Sequence, residues 1–423
     1  MAEDTATVPV DPVKPGGTFA PFRYPAFRAI WIANLWSALG AMIQSVGAAW
    51  MMTDLSHSHG MVALIQASST IPIMLLGVPA GAIADNFDRR RVMLAAQIGM
   101  LIASTLLALL TWQDLVTPYV LLGLTLAIGM GTALNSPAWH ASVRHQVGPR
   151  DLPQAISLNT IAFNLARSVG PALGGLLISI WDMSLAFALN AVSYIGMIVV
   201  LWRWRPGVEA PVRKPMLQAI AIGLRYCAGA PSIRKLLLRG FVLGFGVAGY
   251  QALVPSVVRD QLHGTELDFG LMLGAFGIGS IIAAFFIAPA RRRWGSENVV
   301  TAAMLCFVVA EFVLAQAHIL IVTVPGAFIA GAGWVSALTT INVAMQMRSP
   351  EAILGRCLSI YQAATFGGMT LGSWLWGHLA DWRDLPFALR GAAGFLLVAV
   401  VLLRLFAPMP KPGEGRVEPP PKA

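Results

Sequence analysis

Residues Asn159 to Leu177 read NTIAFNLARSVGPALGGLL, an apolar run with an arginine at its centre. At helical spacing, Thr160, Asn164, Arg167, Pro171 and Gly174 share one face. Ile161, Ala162, Leu165 and Val169 form the opposite face, suited to lipid or an apolar neighbour. A charge at bilayer depth costs at least about 2.5 kcal/mol, so Arg167 is expected to face a cavity or a partner. Gly170, Pro171, Gly174 and Gly175 remove bulk and one backbone donor, which allows close helix approach and a bend. The stretch reads as a helix that lines a path and moves.

The composition around it agrees. Of 423 residues, 57% are hydrophobic and only 12% charged, whereas soluble domains carry about 25% charged residues. Mean hydropathy is +0.69. The chain reads as an all-α polytopic membrane protein. The net charge of +9 does not call for nucleic acid, because the basic residues sit in short loops between apolar spans. Cys227, Cys306 and Cys357 lie far apart without metal-ligand spacing and read as apolar filler. The N-terminal residues are polar and Pro-rich, with no apolar core of a cleaved signal, so the first span is expected to stay in the membrane.

Twelve spans of about 20 residues or more follow: 27–53, 61–84, 92–113, 118–143, 152–180, 184–203, 234–259, 268–290, 297–316, 321–347, 352–380 and 386–408. This gives a tail (1–26), a six-helix bundle (27–203), a linker (204–233), a second bundle (234–408) and a tail (409–423). A short interfacial helix is expected over 216–227. With both termini in the cytoplasm, nearly all of the 29 Lys and Arg fall on the cytoplasmic side. Only Arg259, Arg383 and Arg390 lie outside, and Arg167 lies within the bilayer; this asymmetry sets the orientation. The halves also echo each other. Ser157, Gly170 and Gly175 recur as Ser359, Gly372 and Gly377, and Arg89–Arg91 as Arg291–Arg293. Two repeated halves imply a substrate site between them near the midplane.

Between the second and third spans stands Gly81-Ala-Ile-Ala-Asp85-Asn-Phe-Asp88-Arg89-Arg90-Arg91. Asp85 ends an apolar span where a carboxylate can meet a helix N-terminus or an arginine. The loop resembles the signature of the major facilitator superfamily, Gly-x-x-x-Asp-(Arg/Lys)-x-Gly-(Arg/Lys)-(Arg/Lys), in Gly81, Asp85, Arg89 and Arg90. Asn86 and Asp88 depart from it, and Asp88 resembles the branch of bacterial siderophore and drug exporters. Asn135-Ser-Pro137-Ala and Gly148-Pro-Arg150-Asp151-Leu add to the likeness. Gly170-Pro171-x-x-Gly174-Gly175 resembles the fifth-helix antiporter motif, with Ala166 where a glycine is usual. The chain is similar to the enterobactin exporter family over nearly its whole length. This resemblance implies two pseudo-symmetric six-helix halves, with Gly81, Asp85, Arg89 and Arg90 as a conformational latch. It also implies a cavity lined by spans 1, 4, 7 and 10, with help from 5 and 11.

Arg167 leads the candidate substrate contacts, with Asn164 and Asn159 on the same helix. Asn34, Gln44, Asn135, Tyr250, Gln251, Asn342, Tyr361 and Gln362 are polar groups inside other spans. Each has a structural alternative, tying helices together. Proton coupling needs a titratable group in a changing environment. Glu311 lies roughly 21 Å into the ninth span at 1.5 Å per residue; Asp54, at the outer end of the first, is the second candidate, and His140 also titrates. No phosphate loop, metal-ligand set or nucleophile triad appears. The expectation is a non-enzymatic, cofactor-free, monomeric transporter in the bacterial inner membrane. It exports an amphipathic small molecule, a siderophore, drug or metabolite, in exchange for protons. Import, lysophospholipid flipping and a non-transporting receptor are the alternatives.

Overall fold

The computed structural model describes residues 17–205, 216–350 and 353–410. Most of both tails, the centre of the linker, Glu351 and the side chain of Asp85 lie outside the described residues, as does any latch contact that Asp85 makes. Among the described residues there are twelve α-helices: α1 (Pro25–Leu55), α2 (His59–Asn86), α3 (Arg89–Trp112), α4 (Pro118–Ser142), α5 (Leu152–Ile180), α6 (Met183–Arg203), α7 (Met216–Gly229), α8 (Pro231–Ser256), α9 (Glu266–Gln316), α10 (Leu320–Gln346), α11 (Leu354–Trp382) and α12 (Leu385–Phe406). No strand occurs among the described residues. Short loops are made possible by side-chain caps. Ser58, Asp88, Thr117 and Asp384 each accept a backbone N–H of the helix they open, satisfying donors that would otherwise face an apolar medium.

Ten of these helices are long and apolar enough to cross a membrane. The twelve expected spans are recovered by two details. First, α11 is a full-length helix that is less apolar than the other ten, because Ser359, Gln362, Thr365 and Ser373 interrupt it. Second, α9 is two spans. Gly295 has φ +79°, a left-handed conformation that breaks the helix and that glycine adopts without a Cβ clash. The Tyr250 ring meets both Phe276 at 6.1 Å and Phe307 at 6.0 Å. In a straight helix those two residues would lie about 46 Å apart, so α9 doubles back at Gly295 into arms 266–294 and 296–316. The helix α7 is the extra, shorter one.

Within the first half, α1 packs on α5 and α6, and α3 on α4 and α6; within the second, α8 packs on α11 and α12, and α9 on α10. The seam between halves is made by α2 with α11 and by α5 with the first arm of α9. The repeated glycines explain the matching geometry. Gly170 sits against Met42 of α1, and its counterpart Gly372 against Phe245 and Ala248 of α8. Gly175 faces Gly270 of α9 across the seam, as Gly377 faces Gly60 of α2. Thus each member of a repeated pair makes the equivalent contact in its own half or across to the other. α5 runs unbroken through Pro171, so the motif here serves close approach rather than a visible break. Ala162, expected on the outer face, is fully buried, while Ile161, Leu165 and Val169 are exposed as expected.

α8 is the most buried span. Its Gly244 lies against the Thr365 carbonyl and its Gly249 against Ala392, and Trp376 Nε1 donates to the Phe245 carbonyl at 2.9 Å. Cys227 and Cys357, remote in sequence, are both buried in the same apolar core. At the base of α8, buried Arg239 clamps three elements. Its guanidinium donates to both Glu297 oxygens at 2.8 and 2.9 Å, just beyond the Gly295 turn, and to the Leu403 and Ala407 carbonyls of the α12 end. Removing one partner of such a buried pair costs about 3–5 kcal/mol. Arg239→Ala is therefore expected to lower the thermal unfolding midpoint of the purified protein sharply, whereas Arg404→Ala, at an exposed site, leaves it nearly unchanged.

Candidate functional site

A cavity of about 380 Å³ lies between the halves. Its walls come from α1, α2, α4, α5 and α6 on one side and from α8 and the first arm of α9 on the other. The close contacts of Gly170 and Gly174 with α1 bring α5 near enough for Arg167 to enter this space. The Arg167 guanidinium stands 5.3 Å from the centroid of the Phe276 ring, a cation–π contact across the seam. It makes no ion pair or hydrogen bond to any described residue, and no carboxylate lines the cavity.

The other lining groups also present donors. Gln44 Oε1 accepts from Ser104 Oγ at 2.6 Å and from Asn190 Nδ2, and Asn190 donates further to Tyr194 Oη at 3.1 Å. This buried network among α1, α3 and α6 occupies the Gln44 oxygen and leaves its NH₂ without a described partner. Gln251 Nε2 is buried and likewise unpartnered. Ser45, Ser69 and Thr132 are exposed within the lining, so the cavity is accessible on one side. A guanidinium and two amide donors without a facing carboxylate suit an acceptor-rich or anionic ligand.

One end of the seam is shut. Asp381, in the last turn of α11, accepts from Ser58 Oγ (2.6 Å), His59 N–H (2.6 Å) and Gly60 N–H (3.0 Å), capping α2 from the opposite half. After α8 a π-helical turn, Val257–Gln261, turns two neighbouring residues onto the first half: Arg259 onto Thr53 and Asp54, and Asp260 onto His59. Trp50 stacks on Phe269 just beneath, at 6.1 Å. Midway, Thr70 and Thr370 share a hydrogen bond at 2.9 Å. Among the described residues these are the polar bonds between halves. At the other end, Ser157, Thr160 and Gln362 are exposed.

A family model of transmembrane secretion effectors matches residues 16–419. The chain belongs to the transmembrane secretion effectors, a family of major facilitator transporters. Curated relatives include the enterobactin exporter EntS of Shigella boydii serotype 18 (strain CDC 3083-94 / BS512), 27% identical over 397 residues, covering 90% of this chain and 91% of that one. The enterobactin exporter EntS of Escherichia coli O1:K1 / APEC is similar to the same degree. Among solved structures, a mutant of the nucleoside transporter NupG superposes with a TM-score of 0.76 at 12% identity, over 90% of this chain and 99% of that one. A bacterial homologue of the iron transporter ferroportin, in an inward-facing state, gives 0.70 at 15% identity, over 90% and 98%. The fold is thus that of the major facilitators, and the secretion effector is a multi-pass secondary transporter.

The polar residues singled out from the sequence of this secretion effector scatter. Arg167, Gln44, Tyr250 and Gln251 line the cavity. Asn34, Asn135, Asn159, Asn164, Asn342, Tyr361 and Gln362 do not. Asn135 and Asn159 carry buried, unpartnered side-chain oxygens, as Tyr361 carries an unpartnered hydroxyl; Asn342 accepts from Gln346 at 2.5 Å. Asp54 pairs with Arg259 in the shut end. Glu311 is fully buried inside the second half, with one oxygen accepting the Tyr250 N–H at 3.2 Å and the other unpartnered. Arg90 donates to the Leu201 and Trp202 carbonyls at the end of α6, and Arg89 meets His145 at 2.7 Å. Both sets of contacts stay inside the first half. Sequence reading missed Phe276, Asn190 and, apart from Asp54, the residues of the shut end. Asn190 had a legible signal, as an amide inside an apolar run; Phe276 had none.

Proposed function

We propose that this protein exports an acceptor-rich or anionic amphipathic small molecule, in exchange for protons, by rocking its two halves about the cavity. The observation that carries the reading is Arg167, a half-buried cation in the cavity with no anion among the described residues. A permanent cation there is costly unless cargo supplies the counter-charge. The distant likeness to enterobactin exporters supports an oxygen-rich cargo and the outward direction. With the termini in the cytoplasm, as the basic loops require, the shut end faces outward and the cavity is in its cargo-loading form. Glu311 supports proton exchange: it sits one hydrogen bond behind Tyr250 of the cavity wall, and no described cation holds it ionised.

Paired mass spectrometry of cells and medium, with and without the gene, tests the direction. A compound that accumulates inside the deletion strain and vanishes from its medium supports export. One that stays outside while its internal pool falls overturns it in favour of import. With that compound in inverted vesicles, Glu311→Gln is expected to lose pH-gradient-driven transport by about a hundredfold or more, the scale of a lost proton-transfer group, while keeping counterflow. Equal loss of both, or of neither, removes Glu311 from the coupling role.

A further inference from the structure

A second cavity, of about 570 Å³, lies at the shut end of the seam. Four of the seven histidines of the chain line it: His57, His59, His263 and His318. Its charged lining is Asp260, Asp381, Asp384 and Arg383. We propose that this cavity is a proton-operated latch, in which protonated His59 binds Asp260 across the seam and acid thereby favours the shut form.

The charged groups around His59 and Asp260 already have partners. Asp381 is saturated by Ser58 and the first N–H groups of α2. Asp384 caps α12 by accepting the Phe387 N–H at 2.6 Å. Arg259 is engaged by Thr53 and Asp54 of α1. His378 of α11 is bonded to the Trp374 carbonyl at 2.8 Å. Asp260 is left with the His59 imidazole, whose Nδ1 stands 3.6 Å from Asp260 Oδ2 and belongs to the other half. The second half by itself carries three carboxylates, Asp260, Asp381 and Asp384, beside one guanidinium, Arg383, on this cavity, an excess of negative charge that repels itself in a confined space. Imidazole is the side chain whose charge changes between about pH 5 and 8. A proton on His59 turns a weak contact into a charge-assisted one and offsets the crowded carboxylates. Opening the seam separates the pair, so the charge-assisted contact exists only in the shut form and acid shifts the equilibrium toward it. On the orientation proposed above, an acidic exterior would return an emptied exporter to its loading form. The latch itself stands without any assumption about cargo.

The test is pulsed spin-label distance measurement on the full chain in detergent micelles. Leu55→Cys and Trp382→Cys, both exposed positions flanking the seam, carry the labels after the three native cysteines are replaced by alanine. Between about pH 8 and pH 5.5 the shut-to-open ratio is expected to rise about tenfold, the change that follows if closure tightens one proton site about tenfold. His59→Gln and Asp260→Asn, each verified as monodisperse at both pH values, are expected to give a ratio independent of pH. A ratio that ignores pH in the parent, or a full response retained in either variant, overturns the proposal.

Discussion

Arg167→Ala is expected to abolish export while the protein still accumulates, folded, in the membrane. The guanidinium has no described hydrogen-bond or ion-pair partner, so its loss breaks no internal pair, and only the cation–π contact to Phe276 is forfeited. That contact is worth about 0.5–2 kcal/mol. If cargo provides the counter-charge, truncation removes a desolvated charged bond worth about 2–5 kcal/mol, and binding weakens by about thirtyfold or more. Lysine at this position keeps the charge but loses the planar fork, so Arg167→Lys is expected to retain a fraction of the activity. Efflux of the identified compound from loaded vesicles, scaled to protein content, is the measurement. Unchanged efflux in Arg167→Ala would make the residue structural and remove the main support for an anionic cargo.

Gly175→Leu is the second large effect, and it acts on movement rather than binding. A Cβ added at Gly175 would stand 2.5 Å from the Glu266 carbonyl oxygen and near Gly270 of the facing arm. Both obstacles are backbone, so the arms must separate. Overpacking costs about 1–3 kcal/mol, and it falls only on the shut form, in which α5 and α9 touch. A bias of about 3 kcal/mol lowers the shut population about a hundredfold. Transport is expected to fall to background, with the labelled positions 55 and 382 moving apart at every pH. Leu176→Ile, on the exposed face of the same helix, is the matched control and should transport normally. A Gly175→Leu protein that closes and transports would mean the seam deforms more easily than its backbone contacts allow.

The long unbroken apolar runs made the spans legible, and the paired glycines of α5 and α11 made their shared role legible. Their contacts depend on local bulk, and an absent side chain is visible at any position in a sequence. The site was less legible. Arg167 stood out because a charge inside an apolar run must face something other than lipid. The eight amides and phenols chosen from other spans had no such constraint, and only Gln44, Tyr250 and Gln251 turned inward to the cavity. Apart from Asp54, residues at the shut end read as ordinary loop polarity. Nothing in the spacing of His59, Asp260 and Asp381 says that they meet.

By itself, then, the sequence determined that this chain crosses a membrane many times, that it repeats, and that one of its helices carries a cation needing a partner. Those properties follow from composition and from the cost of charge in hydrocarbon, which act residue by residue. Only the tertiary structure decided which polar groups share a cavity, and that the shut end is tied by Asp381 and the turn after α8. In a membrane the outer and inner faces of a helix are both apolar, so periodicity says little about how each helix is rotated. That rotation is set by backbone contacts such as Gly175 on Gly270, between residues far apart in the chain.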